Sequence, residues 1–203
     1  MTFVSNETES SATDNLGVPV MCIRLNEPFN EIVALNPGLR IEQNANGEII
    51  FMPPTGGESG NRNSEICMQL ALWAKKCGGR TFDSSTLFLL PNGAKRSPDA
   101  SWVTTERWNA LSKEERKGYP PLCPDFVVEL RSESDRLAEL QDKMQEYLEN
   151  GIRLGWLIDP LLKTVHIYKP GSLPEIQSAP HSISGQDCLP GFVLELSEIW
   201  SLD

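Results

Sequence analysis

The chain is poor in the residues that build zinc sites. Two histidines occur in 203 residues, and the five cysteines (Cys22, Cys67, Cys77, Cys123 and Cys188) are scattered, with no CxxC pair and no Cys/His cluster. This argues against zinc and makes a reduced, cytoplasmic setting the expectation. Positive charge is also scarce: 18 Lys and Arg stand against 28 Asp and Glu, a formal net charge of −10. A broad basic footprint for coating nucleic acid is therefore excluded, although a local basic patch is not. No apolar run approaches the length of a membrane span. The N-terminal MTFVSNETESSATDNLG has neither a basic start nor an apolar core, so it does not read as a signal peptide.

What is present fits a soluble globular protein, with 39% hydrophobic and 23% charged residues. Residues 1–17 are polar and expected to be disordered, and 18–203 are expected to form one domain. LRIEQNANGEIIFMPP predicts a hairpin turned at Asn46-Gly47. TGGESG matches no phosphate-loop pattern and reads as the start of a helix. That helix carries Ile66, Leu70, Trp73 and Ala74 on one face and stops at Gly78-Gly79. TFDSSTLFLLP and SPDASWV are strand candidates separated by the turn-rich NGAKR, and TTERWNALSKEERKG reads as one helix between a Thr cap and a glycine. A strand over 125–131, an amphipathic helix in SDRLAELQDKMQEYLENG, strands in LGWLIDP and KTVHIYKP, and a last strand with a short helix in LPGFVLELSEIW complete the order. Strand and helix alternate, which predicts an α/β or mixed α+β class with a central sheet.

The informative residues are acids placed where strands should be. SPDASWV sets Asp99 at a strand start, and CPDFVVEL sets Asp125 and Glu129 four residues apart, on one face of a regular strand. Carboxylates brought together repel, and a divalent cation with hard oxygen ligands compensates them. Lys143 stands one turn before Tyr147, beside the Leu140–Met144–Tyr147 stripe, from which a lysine can snorkel toward the end of the neighbouring strand. Each residue also has a plainer reading. Asp99 and Asp125 serve as turn or capping residues elsewhere, and Glu129 could bridge to Arg131 or Arg153. Lys143 and Glu65 could be solvated helix residues.

SPDASWV, PPLCPDFVVELRSESD, LQDKMQEYLENG and LGWLIDP together resemble the Uma-type restriction-endonuclease family of the PD-(D/E)XK nuclease superfamily, from about residue 28 to the C-terminus. The resemblance implies a restriction-endonuclease-like core, a central mixed β-sheet flanked by helices. It makes Asp99 and Glu129 the metal-ligating acids, Mg²⁺ (or Mn²⁺) the cofactor and Lys143 the third catalytic residue, on the helix after the strand. Arg131 holds the place of the motif lysine, and arginine cannot replace it as a base. Lys143 with Tyr147 resembles the superfamily's helical Q-x-x-x-Y pattern, and Glu65 its first-helix metal ligand. The expected activity is phosphodiester hydrolysis of DNA by a cytoplasmic endonuclease, with no membrane partner and with a homo-oligomer left open. The alternatives are a catalytically silent nucleic-acid- or protein-binding module, which gains if Lys143 fails to reach the carboxylates, and a structural subunit. Because Lys143 flanks the stripe, Lys143→Ala is expected to keep the fold.

Overall fold

The computed structural model describes residues 22–23, 28–36 and 39–201, so the expected disordered tail over 1–17 lies outside the described residues. The elements in chain order are β1 (Cys22–Ile23), α1 (Phe29–Leu35), β2 (Arg40–Gln43), β3 (Ile49–Met52), α2 (Gly57–Cys77), β4 (Arg80–Asp83), β5 (Phe88–Leu89), β6 (Lys95–Arg96) and β7 (Ala100–Val103). They continue with α3 (Thr105–Ala110), α4 (Lys113–Lys117), β8 (Phe126–Leu130), α5 (Leu137–Glu149), β9 (Leu154–Asp159), β10 (Thr164–Tyr168), β11 (Glu175–Ser178), β12 (Ser182–Ser184), β13 (Val193–Glu195) and α6 (Ser197–Trp200).

The central sheet has the order β11-β10-β9-β8-β7-β4. β8 and β9 pair in parallel, and the other neighbours pair antiparallel. A parallel pair needs a crossover, and α5 supplies it. The class is mixed α+β, a central mixed sheet flanked by helices, as the sequence predicts. Every residue of β8 and β9 is buried, which is what a central strand covered on both faces requires.

Period-two alternation separates the two faces. Phe126, Val128 and Leu130 of β8, with Leu154, Trp156 and Ile158 of β9, pack toward Ile66, Leu70 and Ala74 of α2 and the C-terminal Leu194 and Ile199. Val127 and Leu157 pack on the other face with Met144 and Tyr147 of α5. Gly155 also lies on the α5 side, where a Cβ would come within 2.5 Å of Met144 Cε and 2.8 Å of Ile152 Cδ1. The missing side chain lets α5 sit close to the sheet, which brings its inward residues down to the strand ends.

A second sheet, β1-β3-β2-β6-β5, leans against the same helix. Its Phe88, Leu90 and Ala94 join the α5 core, while Ile41 and Ile49 form a smaller cluster with α1. The predicted hairpin is β2 and β3, with Gly47 at φ 84° in the turn. The glycine stop of α2 is Gly78, whose N–H donates to Ala74 O.

Four features differ from the sequence reading. TFDSSTLFLLP is not one strand but breaks at a turn after Asp83, so that β4 ends in the central sheet and β5 joins the second. TTERWNALSKEERKG forms two helices, because Leu111 is extended and Ser112 starts a capping box with Glu115. NGAKR contains β6, held by one pairing to β2 and two to β5 in a segment whose turn residues mask it. α1, β11 and β12 carried no clear periodic signal; β11 is an exposed edge strand with no alternation for burial to imprint.

Candidate functional site

β7 and β8 fix the acids. Their register pairs Ala100 with Val128 and Ser101 with Val127. Continued one step, it sets Asp99 opposite Glu129, on the α5 face shared by Val127. Asp99 sits at a bend just before β7, and its Oδ2 accepts a hydrogen bond from Leu130 N at 2.9 Å. The carboxylates therefore stand on adjacent strands and on one face.

α5 delivers the other groups. Lys143 and Tyr147 are one helical turn apart, so both point at the sheet. Lys143 Nζ lies 2.9 Å from Glu129 Oε1, and Tyr147 O–H donates to the same oxygen at 2.9 Å. Lys143 is 9% exposed, so the solvated-helix alternative does not hold, nor does the silent-module condition that it miss the carboxylates. Glu129 bridges to Lys143, not to Arg131 or Arg153.

The second sheet closes the pocket with residues that the sequence reading missed. Glu42 of β2 is 2% exposed; its Oε1 accepts from Lys143 Nζ at 3.0 Å and from Ser97 N at 2.9 Å, and its Oε2 lies 3.1 Å from Arg96 Nη1. Arg96 Nε in turn donates to Glu146 Oε2 of α5 at 2.6 Å. Glu42, alternating with the buried Ile41 in a hairpin, has the pattern of a solvent-facing residue. Its one sequence signal is that a hairpin packed between other elements must bury both faces.

The electrostatics separate the two glutamates that share the ammonium. Burial pushes Glu42 up, but Lys143, Arg96 and the Ser97 N–H outweigh it and hold its carboxyl below the ordinary value. Burial pushes Glu129 up to about 7; Lys143 opposes the rise, while Asp99 and Glu42 add to it. Burial likewise raises Asp99, against the Leu130 N–H and the charge of Lys143. Lys143 is itself raised, because its two glutamates outweigh burial, so it stays an ammonium. Four carboxylates (Glu42, Asp99, Glu129 and Glu146) thus meet two ion-paired cations, Lys143 and Arg96.

This deficit of positive charge is what a divalent cation fits. Asp99 Oδ1 and Glu129 Oε2 accept no hydrogen bond among the described residues, which leaves one hard oxygen on each for a metal. No group of three His, Cys, Asp or Glu side chains that could hold a metal occurs among the described residues. Two carboxylates suit Mg²⁺, which retains several waters, better than they suit a metal that needs a full protein cage.

Three residues singled out in the sequence lie elsewhere. Asp125 shares the parity of Glu129 but sits at the far end of β8, about 13 Å away at the rise of a strand. Its carboxylate accepts from Thr104 N at 2.9 Å and pairs with Arg107 Nη1 at 3.0 Å, which ties β8 to the start of α3. Asp125→Ala is expected to lower stability by about 1–3 kcal/mol, the cost of leaving a buried donor unsatisfied, with no effect on metal response; paired melting curves with and without Mg²⁺ check both parts. Arg131 turns to Asp159 Oδ2 at 2.8 Å, and Asp159 Oδ1 also accepts from Leu161 N and Leu162 N. Arg131 therefore clamps the turn after β9, and no ion pair joins it to Glu129 among the described residues. Glu65 accepts from Gln69 Nε2 at 2.9 Å, and Gln69 bonds to the backbone of Glu195. Gln69 thus ties this part of α2 to β13, and no hydrogen bond or ion pair joins Glu65 to Asp99 or Glu129 among the described residues.

Among solved structures, the chain is similar to a crystal structure described as a "putative nuclease belonging to DUF820" from Anabaena variabilis. The two share 22% identity, and the match covers 79% of this chain and 89% of that one with a TM-score of 0.67, a likeness of fold. No curated protein matches the chain. No helix among the described residues is long and apolar enough to cross a membrane. The family model described as "Putative restriction endonuclease" matches residues 27–197, and the chain accordingly belongs to the Uma2 family.

Proposed function

We propose that this chain is a divalent-metal-dependent nuclease that hydrolyses phosphodiester bonds of DNA, with Asp99 and Glu129 as the ligands of Mg²⁺ or Mn²⁺. The observation that carries the reading is the convergence of the buried Glu129 and the half-buried Asp99, from adjacent strands, with a buried lysine and tyrosine from α5. Membership of the family supports a nuclease. When bound, the ion supplies positive charge to the carboxylate pair, lowers the pKa of a water and stabilises charge that develops on the phosphoryl oxygens.

The chain's own residues divide the remaining work. Asp99 is oriented by the Leu130 N–H, which keeps its other oxygen pointed away from the strand. Tyr147 and Lys143 both donate to Glu129 Oε1 and so fix the carboxylate's rotation, leaving Oε2 for the metal. An ammonium has three N–H donors. Lys143 directs two at Glu129 and Glu42, and the third is left for a water or a phosphate oxygen. Because Lys143 stays protonated, it acts as a cation and donor and not as a base. Glu42, itself held by Arg96 and Ser97, sets where that ammonium stands.

The test is metal-dependent stability. Mg²⁺ or Mn²⁺ is expected to raise the melting temperature of the wild type, because a ligand that binds the folded state alone stabilises it. The double variant Asp99→Ala/Glu129→Ala is expected to lose that rise. An equal rise in the double variant would move the metal away from this pair.

A further inference from the structure

The pocket is bordered by a third cation that has no hydrogen-bond or ion-pair partner among the described residues. Arg40 lies on β2 two residues before Glu42, so both project from the same face of the strand, the face from which Glu42 reaches Lys143. Arg40 is partly exposed, yet its Nε is buried and has no hydrogen-bond partner. It forms no ion pair among the described residues, whereas Lys143 and Arg96 are each held by two carboxylates. Its charge is nonetheless felt at Asp99. A buried donor left unsatisfied is costly and uncommon in a folded protein. A planar guanidinium on a half-buried side chain, with a buried Nε–H left unpaired on the strand face that carries Glu42, matches an anion with several oxygens.

We infer that Arg40 is a substrate-binding residue whose guanidinium takes a non-bridging oxygen of the phosphodiester presented to Asp99 and Glu129. The ligand class is the sugar–phosphate backbone of a nucleic acid, and the contact carries no base information. It gives an acidic protein one local positive contact beside its carboxylates. The inference rests on the nuclease reading for the identity of the anion, but binding and hydrolysis are separable in the test.

The experiment measures binding of fluorescent single-stranded and duplex DNA by anisotropy, in Ca²⁺ and across a salt series, with cleavage assayed separately in Mn²⁺. Arg40→Gln is expected to weaken binding about tenfold to a hundredfold, the loss of one charge-assisted hydrogen bond, and to lower the salt slope by about one. Arg40→Lys, which keeps the charge without the fork, is expected to restore the slope and only part of the affinity. The metal-dependent rise in melting temperature is expected to survive in both variants, which also shows that they fold. Unchanged affinity and slope in Arg40→Gln would overturn the inference while leaving the nuclease reading intact. Wild-type binding that Arg40→Gln weakens, with no cleavage in Mn²⁺, would support Arg40 and sink hydrolysis. No binding by the wild type would overturn both.

Discussion

Lys143→Ala is expected to lose about 3–5 kcal/mol of folding stability in EDTA, the cost of removing one partner from a buried charge pair. The sequence suggested a rim position and a substitution that spares the fold. The structure instead places Lys143 between Glu42 and Glu129, at 3.0 and 2.9 Å, with all three side chains buried. Without the ammonium, Glu129 keeps only its Tyr147 bond, and Glu42 is left to Arg96 and Ser97. Burial has already pushed Glu129 up to about 7 against the pull of Lys143, so losing the ammonium drives that carboxyl toward the neutral form and leaves the ion pair unmade. Lys143→Met combined with Glu42→Gln is expected to recover about 1–2 kcal/mol, because residues in one ion network couple by that order. Urea unfolding of the single and double variants reads both numbers. A Lys143→Ala protein as stable as the wild type would mean that the ammonium does not organise the pocket. Where the variant folds, its cleavage in Mn²⁺ is expected to fall by about 10² or more. The double variant separates that loss from instability, since it is the more stable of the two and still lacks the cation.

Asp99→Asn is expected to act in the opposite sense on stability and as strongly on activity. The amide keeps an oxygen to accept the Leu130 N–H and removes one of two like charges on adjacent strands. The metal-free melting temperature is therefore expected to be at least that of the wild type, since burial and the neighbouring acids disfavour the charged carboxyl. Metal binding and cleavage are expected to fail together, with cleavage down by about 10² or more. A functional acid that destabilises its own fold is a common trade between stability and activity. Calorimetric titration with Mn²⁺ beside a melting curve in EDTA decides it. A lower metal-free melting temperature with intact Mn²⁺ binding would make Asp99 a structural cap.

Parts of this pocket are written locally and parts are not. Asp99 and Glu129 interrupt otherwise apolar strands, so a carboxylate in SPDASWV and another in FVVEL stand out from their surroundings. Lys143 and Tyr147 follow from helical spacing beside an apolar stripe. Glu42 and Arg96 come from a second sheet, and their partners Lys143 and Glu146 lie about 100 and 50 residues along the chain, as the hydrogen bonds record. Alternation in a hairpin reports two faces but not what covers each, so Glu42 resembles a solvated residue until α5 is placed against it. Parity failed for Asp125 for a related reason: sharing a face of β8 with Glu129 does not mean sharing a site when one lies at each end of the strand. Arg131 shows the same limit. Its place in the motif is local, whereas its partner Asp159 belongs to the end of β9.

The central claim is that Asp99 and Glu129 hold a divalent cation for phosphodiester hydrolysis. The most direct measurement incubates the purified wild type with supercoiled plasmid and single-stranded circular DNA in Mn²⁺, with a matched reaction in EDTA. Nicked, linear or fragmented DNA that forms in Mn²⁺ and is absent in EDTA is the predicted result. Intact DNA in Mn²⁺, or equal cleavage in EDTA, would contradict it.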